Sequence, residues 1–376
     1  MPTIELTTKT EIEDFVRGTT FYGTGGGGDP QRGLELLYAD LKEKRKISFK
    51  DIEEIDDKGW SICPFLMGTI APETDEIRKK KADFGFTEKV AANPLIDAVR
   101  ELELYSKQDA DVIVPIELGG GNTPGALDVA IRMNKILIDG DYSARAIPEI
   151  VQTAPHIHHK TVSPITAVDE YGDIVIIKKS TNNRVAERLG KLISEGAFGL
   201  AGEAGIMLKV SEMKKVVQPG TLSRSYEIGK AIRIAREKGE NPVESAVLAS
   251  NGYLIFEGVV TEKKWEDREG YMWGTHVFTG TGKFNKRKFK IWFKNENHIS
   301  WLDDKPYVTS PDLIEVVRRK DAEPITNTNL AEGDEVSIIG MKANPLFRTD
   351  EGLKVLGPRY FGFDYDYVPI EKIEEE

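Results

Sequence analysis

The stretch Ile136-Leu137-Ile138-Asp139-Gly140-Asp141-Tyr142-Ser143-Ala144-Arg145-Ala146-Ile147-Pro148-Glu149 decides how this chain is read. Three β-favouring apolar residues bounded by Asp-Gly describe a buried strand, and Gly140 lets the backbone turn sharply at its end. Two carboxylates, a guanidinium and a third carboxylate follow at once. In α/β proteins, strand ends of this kind line the ligand crevice. The plainer reading is an Asx-type turn at Asp139 and Asp141, with Arg145 as their surface ion partner.

The same design occurs upstream, where Val112-Ile113-Val114-Pro115-Ile116 ends in Glu117 and continues as Leu118-Gly119-Gly120-Gly121-Asn122-Thr123-Pro124. Thr123 and Pro124 suit the N-cap and first position of a helix. Consecutive βαβ strands are usually neighbours, which brings Glu117, Asp139 and Asp141 to one edge of a sheet. Acids gathered in this way either raise one another's pKa or bind a cation. With further strand signals at 61–67, 164–168 and 173–177, and helices near 94–105 and 124–133, residues 1–167 are expected to form an α/β domain with a parallel or mixed sheet.

Residues 168–376 are expected to form a second, β-rich domain, helical at its start. A helix near 184–194, a strand at 205–210 and helices opening at Thr221 and Pro242 precede alternating strands from Tyr253 onward, suited to a sandwich or barrel-like unit. At the other end, Thr8-Lys9-Thr10-Glu11 forms a capping-box pattern for a helix expected to stop near Gly18, and Asp29-Pro30 opens another with Leu34, Leu37 and Leu41 on one side. Between them lies Gly23-Thr24-Gly25-Gly26-Gly27-Gly28, whose backbone N–H groups can approach a ligand closely at a helix start. It is not a dinucleotide fingerprint, because a helix and not a strand precedes it, and no Lys-Ser/Thr ends it as in a phosphate loop.

Composition excludes several classes. A net charge of -11 argues against a duplex nucleic-acid binder. No run of eighteen apolar residues occurs and Met1–Glu5 has no leader character, so a cytoplasmic protein without a membrane role is expected. The single cysteine, Cys63, lies in an apolar strand pattern and is expected to be a buried, inert thiol. Abundant Lys and Glu would suit a thermophile. The tail 371–376 is expected to fray. His156-Ile157-His158-His159 places three imidazoles within four residues, which with Asp141 could hold a divalent metal; hydrogen-bonded or partly buried histidines are the alternative.

Taken in order, Gly23-Thr24-Gly25-Gly26-Gly27-Gly28-Asp29-Pro30, Glu117-Leu118-Gly119-Gly120-Gly121-Asn122, Asp139-Gly140-Asp141 with Arg145-Ala146 and Pro148-Glu149, Gly220-Thr221-Leu222-Ser223, Asn295-Glu296-Asn297 and Pro311-Asp312-Leu313-Ile314 resemble the S-methyl thiohydantoin desulfurase family, long catalogued as a domain of unknown function and loosely labelled hydantoinase-like. The resemblance extends over nearly the whole chain. It implies the same two-domain plan and an enzyme that hydrolyses an S-methylated thiohydantoin to a hydantoin with release of methanethiol. Two positions depart from the family pattern: Ala144 stands where Gly usually precedes Arg145, and the 156–159 histidines are not a family feature.

The expected site follows. Asp139 or Asp141 acts as general base on water attacking an sp² ring carbon, Arg145 and backbone N–H groups stabilise the developing charge, Glu149 orients Arg145, and Glu117 completes the acidic set. Gly25, Gly26, Gly27, Gly120, Gly121, Asn122, Asn295 and Glu296 are the expected substrate-binding residues. Two alternatives stand beside this: a metal-assisted amidohydrolase using His156, His158 and Asp141, and a non-catalytic ligand-binding subunit of a hydantoinase or oxoprolinase-type complex. A homo-oligomer is the expected assembly.

Overall fold

The computed structural model describes residues 3–69, 71–86 and 88–373; Met1, Pro2 and the last three residues of the tail lie outside them. The capping box forms as the sequence dictates: Thr8 Oγ1 accepts the Glu11 N–H at 3.2 Å and Glu11 Oε2 accepts the Thr8 N–H at 2.9 Å. The helix runs over Lys9–Tyr22, straight past Gly18. Gly18 is not a stop but a crossing point, because the helix Thr221–Lys238 passes so close that a Cβ on Gly18 would lie 1.6 Å from the Ser225 carbonyl oxygen. Gly229 answers it, with its own Cβ position 1.8 Å from the Asp14 oxygen. Asp29 caps the next helix, Pro30–Lys42, by accepting the Gln31 N–H at 3.0 Å.

A six-stranded mixed sheet carries the first half. Its order is Ile136–Leu137, Val112–Ile113, Trp60–Gly68, Leu200–Lys209, Ile165–Asp169, Ile174–Ile177, the first three parallel and the rest antiparallel. Alternation along the strands supplies two apolar faces. Ile62, Ile113, Leu137 and Ala204 pack under the helices Pro94–Ser106 and Asn122–Arg132, while Cys63, Phe65, Val112 and Ile206 pack with Ala186 of the helix Asn183–Gly196. Cys63 is a buried free thiol whose pKa is pushed well up by burial.

The two halves interlock. The boundary expected at 167/168 falls inside the strand Ile165–Asp169, and the sheet takes Leu200–Lys209 from beyond it. Likewise the first core cluster joins Ile12 and Phe15 to Ile228, Ile232, Leu313 and Ile339.

The rest is a seven-stranded antiparallel sheet ordered Lys305–Thr309, Glu296–Leu302, Lys288–Lys294, Tyr271–Gly280, Tyr253–Arg268, Glu335–Met341, Leu313–Arg318. It curls into a half-barrel: Asn297 Nδ2 donates to the Ile314 carbonyl at 3.0 Å although the strand of Asn297 is second in the order and that of Ile314 last. Phe256, Phe278 and Phe289 fill the concave side. A single curled sheet therefore takes the place of a two-sheet sandwich. The tail is tied down as far as 373, since the Ile370 N–H and Tyr367 OH both reach Asp312 Oδ2 at 2.9 Å and Arg348 pairs with Glu371.

Candidate functional site

A cavity of about 640 Å³ is lined by residues from both sheets and from the first glycine loop. Glu117, at the end of the Val112–Ile113 arm, faces it. Asn122 donates its side-chain amide to Glu117 Oε1, and the Ile147 N–H reaches Oε2 at 2.7 Å. Burial pushes the Glu117 pKa up to about 7, against those two donors, and the nearby Asp141 carboxylate adds to the rise.

Glu296 reaches the same cavity from the half-barrel. A Cβ at 26 would lie 2.0 Å from Glu296 Oε1, so any larger residue there displaces that carboxylate; its other oxygen has no partner among the described residues. Burial, and then the charge of Glu117, hold the Glu296 pKa well above the usual carboxylate range. The two acids are thus electrostatically coupled across the junction of the halves.

Lys191 and Glu187 also line the cavity, from the helix Asn183–Gly196. Lys191 Nζ donates to the carbonyls of Gly68 at 2.9 Å and Gly270 at 3.1 Å and lies 4.1 Å above the Tyr271 ring, while burial lowers its pKa. Glu187 accepts the Ile150 N–H and the Tyr271 hydroxyl, each at 2.8 Å. Sequence reading passed over both. The available signal was an ion-pair spacing, i and i+4, on the stripe of the helix that also carries the buried Ala186, Gly190 and Ser194.

The expected residues divide into two groups. Glu117, Glu149, Gly25, Gly26, Gly27, Gly121, Asn122, Asn295 and Glu296 line the cavity; Asp139, Asp141, Arg145 and Gly120 do not. Asp139 instead caps the helix Thr221–Lys238, its Oδ1 accepting the N–H groups of Leu222 at 3.0 Å and Ser223 at 2.9 Å. Asp141 is fully buried and closes a turn, its Oδ2 accepting the N–H groups of Ser143 at 3.0 Å and Ala144 at 2.8 Å; burial pushes its pKa up to about 6.

Arg145, 1 % exposed, is a staple. Nη1 donates to Ser310 Oγ and the Pro311 carbonyl, Nη2 to Thr24 Oγ1 and the Asn297 carbonyl, and Nε to the Ala146 carbonyl. Its donors are consumed in holding the glycine loop against the half-barrel, and although burial lowers its pKa to about 10 it stays charged at neutral pH. Glu149 does not orient it: Glu149 pairs with Lys294 and accepts the Tyr360 hydroxyl at 2.5 Å. Gly120 is turned away, its Cβ position meeting Pro30 and Thr20.

The histidines take other roles. His156 is half-buried with Nδ1 3.0 Å from Asn183 Nδ2, and His158 and His159 are exposed. Among the described residues no group of three His, Cys, Asp or Glu side chains is arranged to hold a metal ion, and Asp141 does not join the histidines. No helix of the described residues is long and apolar enough to cross a membrane.

The fold, a mixed α/β sheet joined to a β half-barrel, is found elsewhere as a whole. The crystal structure of a protein from Chromobacterium violaceum superimposes with a TM-score of 0.76 over 98% of this chain and 100% of that one, at 18% sequence identity, which is a likeness of fold. No protein of curated function matches the sequence. Residues 10–179 match the S-Me-THD-like N-terminal domain and residues 180–370 the S-Me-THD-like C-terminal domain, so the chain belongs to the S-Me-THD-like family.

Proposed function

We propose that this chain hydrolyses a five-membered cyclic amide of the S-methyl thiohydantoin class, with Glu117 and Glu296 as the acid–base pair. The observation that carries this reading is the pairing itself: two buried carboxylates, one from each half, in one cavity and with unequal proton affinities. When the environments of two acids push their pKa values apart, the pair divides into a base and an acid. Near neutral pH, Glu296 holds its proton and Glu117 is partly ionised.

In this scheme Glu117 takes a proton from water as the oxygen bonds to the sp² carbon that bears the methylthio group. Glu296 gives its proton to the departing sulfur as the C–S bond breaks. Water and the S-methyl thiohydantoin become hydantoin and methanethiol, and the proton on Glu117 returns to Glu296 to complete the cycle. Asn122 fixes the Glu117 carboxylate and leaves it no freedom to turn away. Lys191 lies close enough for its charge to bear on Glu296, and moderates that acid's rise.

The experiment is methanethiol release by the purified chain alone, dialysed against a chelator. Glu117→Gln is expected to lower kcat by roughly 10²–10⁴-fold, the usual worth of a positioned base. For the wild-type protein, kcat/KM is expected to rise with pH through about 7, as Glu117 ionises. A Gln variant with full turnover would remove Glu117 from the chemistry. Turnover that appears only with added divalent metal, or only with a second protein, would favour the amidohydrolase or subunit reading.

A further inference from the structure

The six-stranded sheet ends on Ile174–Ile177, which pairs with Ile165–Asp169 on one side and with no strand of the described residues on the other. Its side chains do not suit a water-facing edge. Ile174, Val175 and Ile176 are three aliphatic residues in a row, exposed by 51%, 40% and 38%. The helix Asn183–Gly196, packed against this strand, also exposes Leu189 and Leu192. A row of unpaired N–H and C=O groups flanked by apolar side chains is a template for another strand.

We propose that this edge pairs antiparallel with the same edge of a second copy, about a two-fold axis at Ile176, joining two six-stranded sheets into one of twelve strands. The register follows from the backbone. The Asp169 N–H donates to the Asp173 carbonyl at 3.2 Å, so Asp173, Val175 and Ile177 turn their backbone groups inward to their own sheet. Ile174, Ile176 and Lys178 therefore turn theirs outward. Residues directly opposite in an antiparallel pair both face the partner strand or both face away, so the axis must pass through a residue and not between two.

Centring on Ile176 sets Ile176 against itself, Val175 against Ile177, Ile174 against Lys178 and Asp173 against Lys179 of the second copy. The Asp173–Lys179 pair then falls at a non-hydrogen-bonded position, where facing side chains stand closer, and it occurs twice by symmetry. Both residues are exposed, and neither has an ion pair within its own chain among the described residues. The Lys178 stem covers the apolar Ile174 while its ammonium stays in water. Centring on Val175 instead sets Asp173 against Ile177 and loses both charge pairs. Charge complementarity thus selects both the partner, a second copy of this chain, and the register.

The test is the solution mass of the full chain by light scattering and sedimentation, from about 1 to 100 μM, a span in which weak and strong dimers separate. The expected mass is twice the 42.0 kDa of one chain. Ile176→Lys, which stacks like charges on the axis, is expected to give a single chain. Asp173→Lys and Lys179→Asp are each expected to weaken the dimer by about tenfold or more, since two facing pairs become repulsive at once. The double variant Asp173→Lys/Lys179→Asp is expected to return to within a few-fold of wild type. All three positions are exposed, and unchanged thermal unfolding of the variants at low concentration confirms that they fold. A single-chain mass for the wild type at the highest concentration overturns the proposal, as does a dimer that Ile176→Lys leaves intact. A charge swap that fails to restore association overturns the register.

Discussion

At Ala144 the backbone has a φ of 58°, in the left-handed region, held there by the bond from its N–H to Asp141 Oδ2. An L-residue pays about 1–2 kcal/mol for this conformation, and glycine pays about 0.5–1 kcal/mol in lost chain freedom instead. Resemblance to the desulfurase family leads one to expect Gly here, and the φ value explains that expectation physically. Ala144→Gly is therefore expected to stabilise the protein by about 0.5 kcal/mol in urea unfolding, the difference between those two costs. A loss of stability would mean that the Ala144 methyl earns its place by packing. The neighbouring acids show where residue-level reading stops. Asp139 and Asp141 have the right chemistry at the right strand end, yet neither lines the cavity: Asp139 caps a helix start, and Oδ2 of Asp141 closes a turn while its Oδ1 stays buried without a partner among the described residues. Sequence spacing does not say which way a carboxylate turns after Gly140. Glu117 and Glu296 were legible as candidates because glycine-rich or turn-forming neighbours flank them, whereas Lys191 and Glu187 hide in a helix whose polar positions look like ordinary surface.

At the scale of elements, local signals translated well. The capping box at Thr8 and the Asp29-Pro30 and Asn241-Pro242 starts all depend on contacts within a few residues. What depends on distant partners was not legible, as with the helix read as ending at Gly18. There the missing Cβ serves the crossing of Lys9–Tyr22 with Thr221–Lys238, two helices far apart in sequence. Gly18→Ala would drive a methyl into the Ser225 backbone, which cannot swing aside as a side chain would. Overpacking of this kind costs about 1–3 kcal/mol, and the 1.6 Å approach puts the expected loss at the upper end or beyond. Chemical denaturation measures it; a change under about 0.5 kcal/mol, the range of a neutral surface substitution, would show that the helices separate freely. The insertion of Leu200–Lys209 between Trp60–Gly68 and Ile165–Asp169 was hidden for the same reason, because strand order is set by long-range pairing and not by local pattern.

At the scale of the whole molecule, the buried acids set how stability responds to pH. Burial raises Asp141 to about 6, Glu117 to about 7 and Glu203 to about 8, and holds Glu296 and Glu315 well above the usual range. Both oxygens of Glu203 and of Glu315 lack hydrogen-bond partners among the described residues, so the neutral form is the one these sites accommodate. A carboxyl whose folded pKa is raised binds more protons in the native state than in the unfolded chain. Its contribution is complete below the unfolded pKa, near 4, and is lost as pH rises through the folded value. The window for these groups therefore opens near pH 4 and runs through the folded values, about 6 for Asp141, 7 for Glu117 and 8 for Glu203. His276, lowered to about 3 by burial, and His298, lowered well below its usual value, act in the opposite sense, but only below about pH 6.5, where the unfolded chain would protonate them. More acids than histidines are shifted, so the acids set the slope even where the histidines oppose them, and the unfolding temperature is expected to be highest near pH 4 and to fall toward pH 9. Glu203→Gln keeps the shape of the protonated acid and cannot ionise; it is expected to raise the unfolding temperature at pH 9, leave it nearly unchanged at pH 4 and flatten the slope between them. Calorimetric scans of both proteins across that range decide the point: a parallel pair of curves would mean that Glu203 is not held neutral, and that the shared decline has its source in the remaining acids.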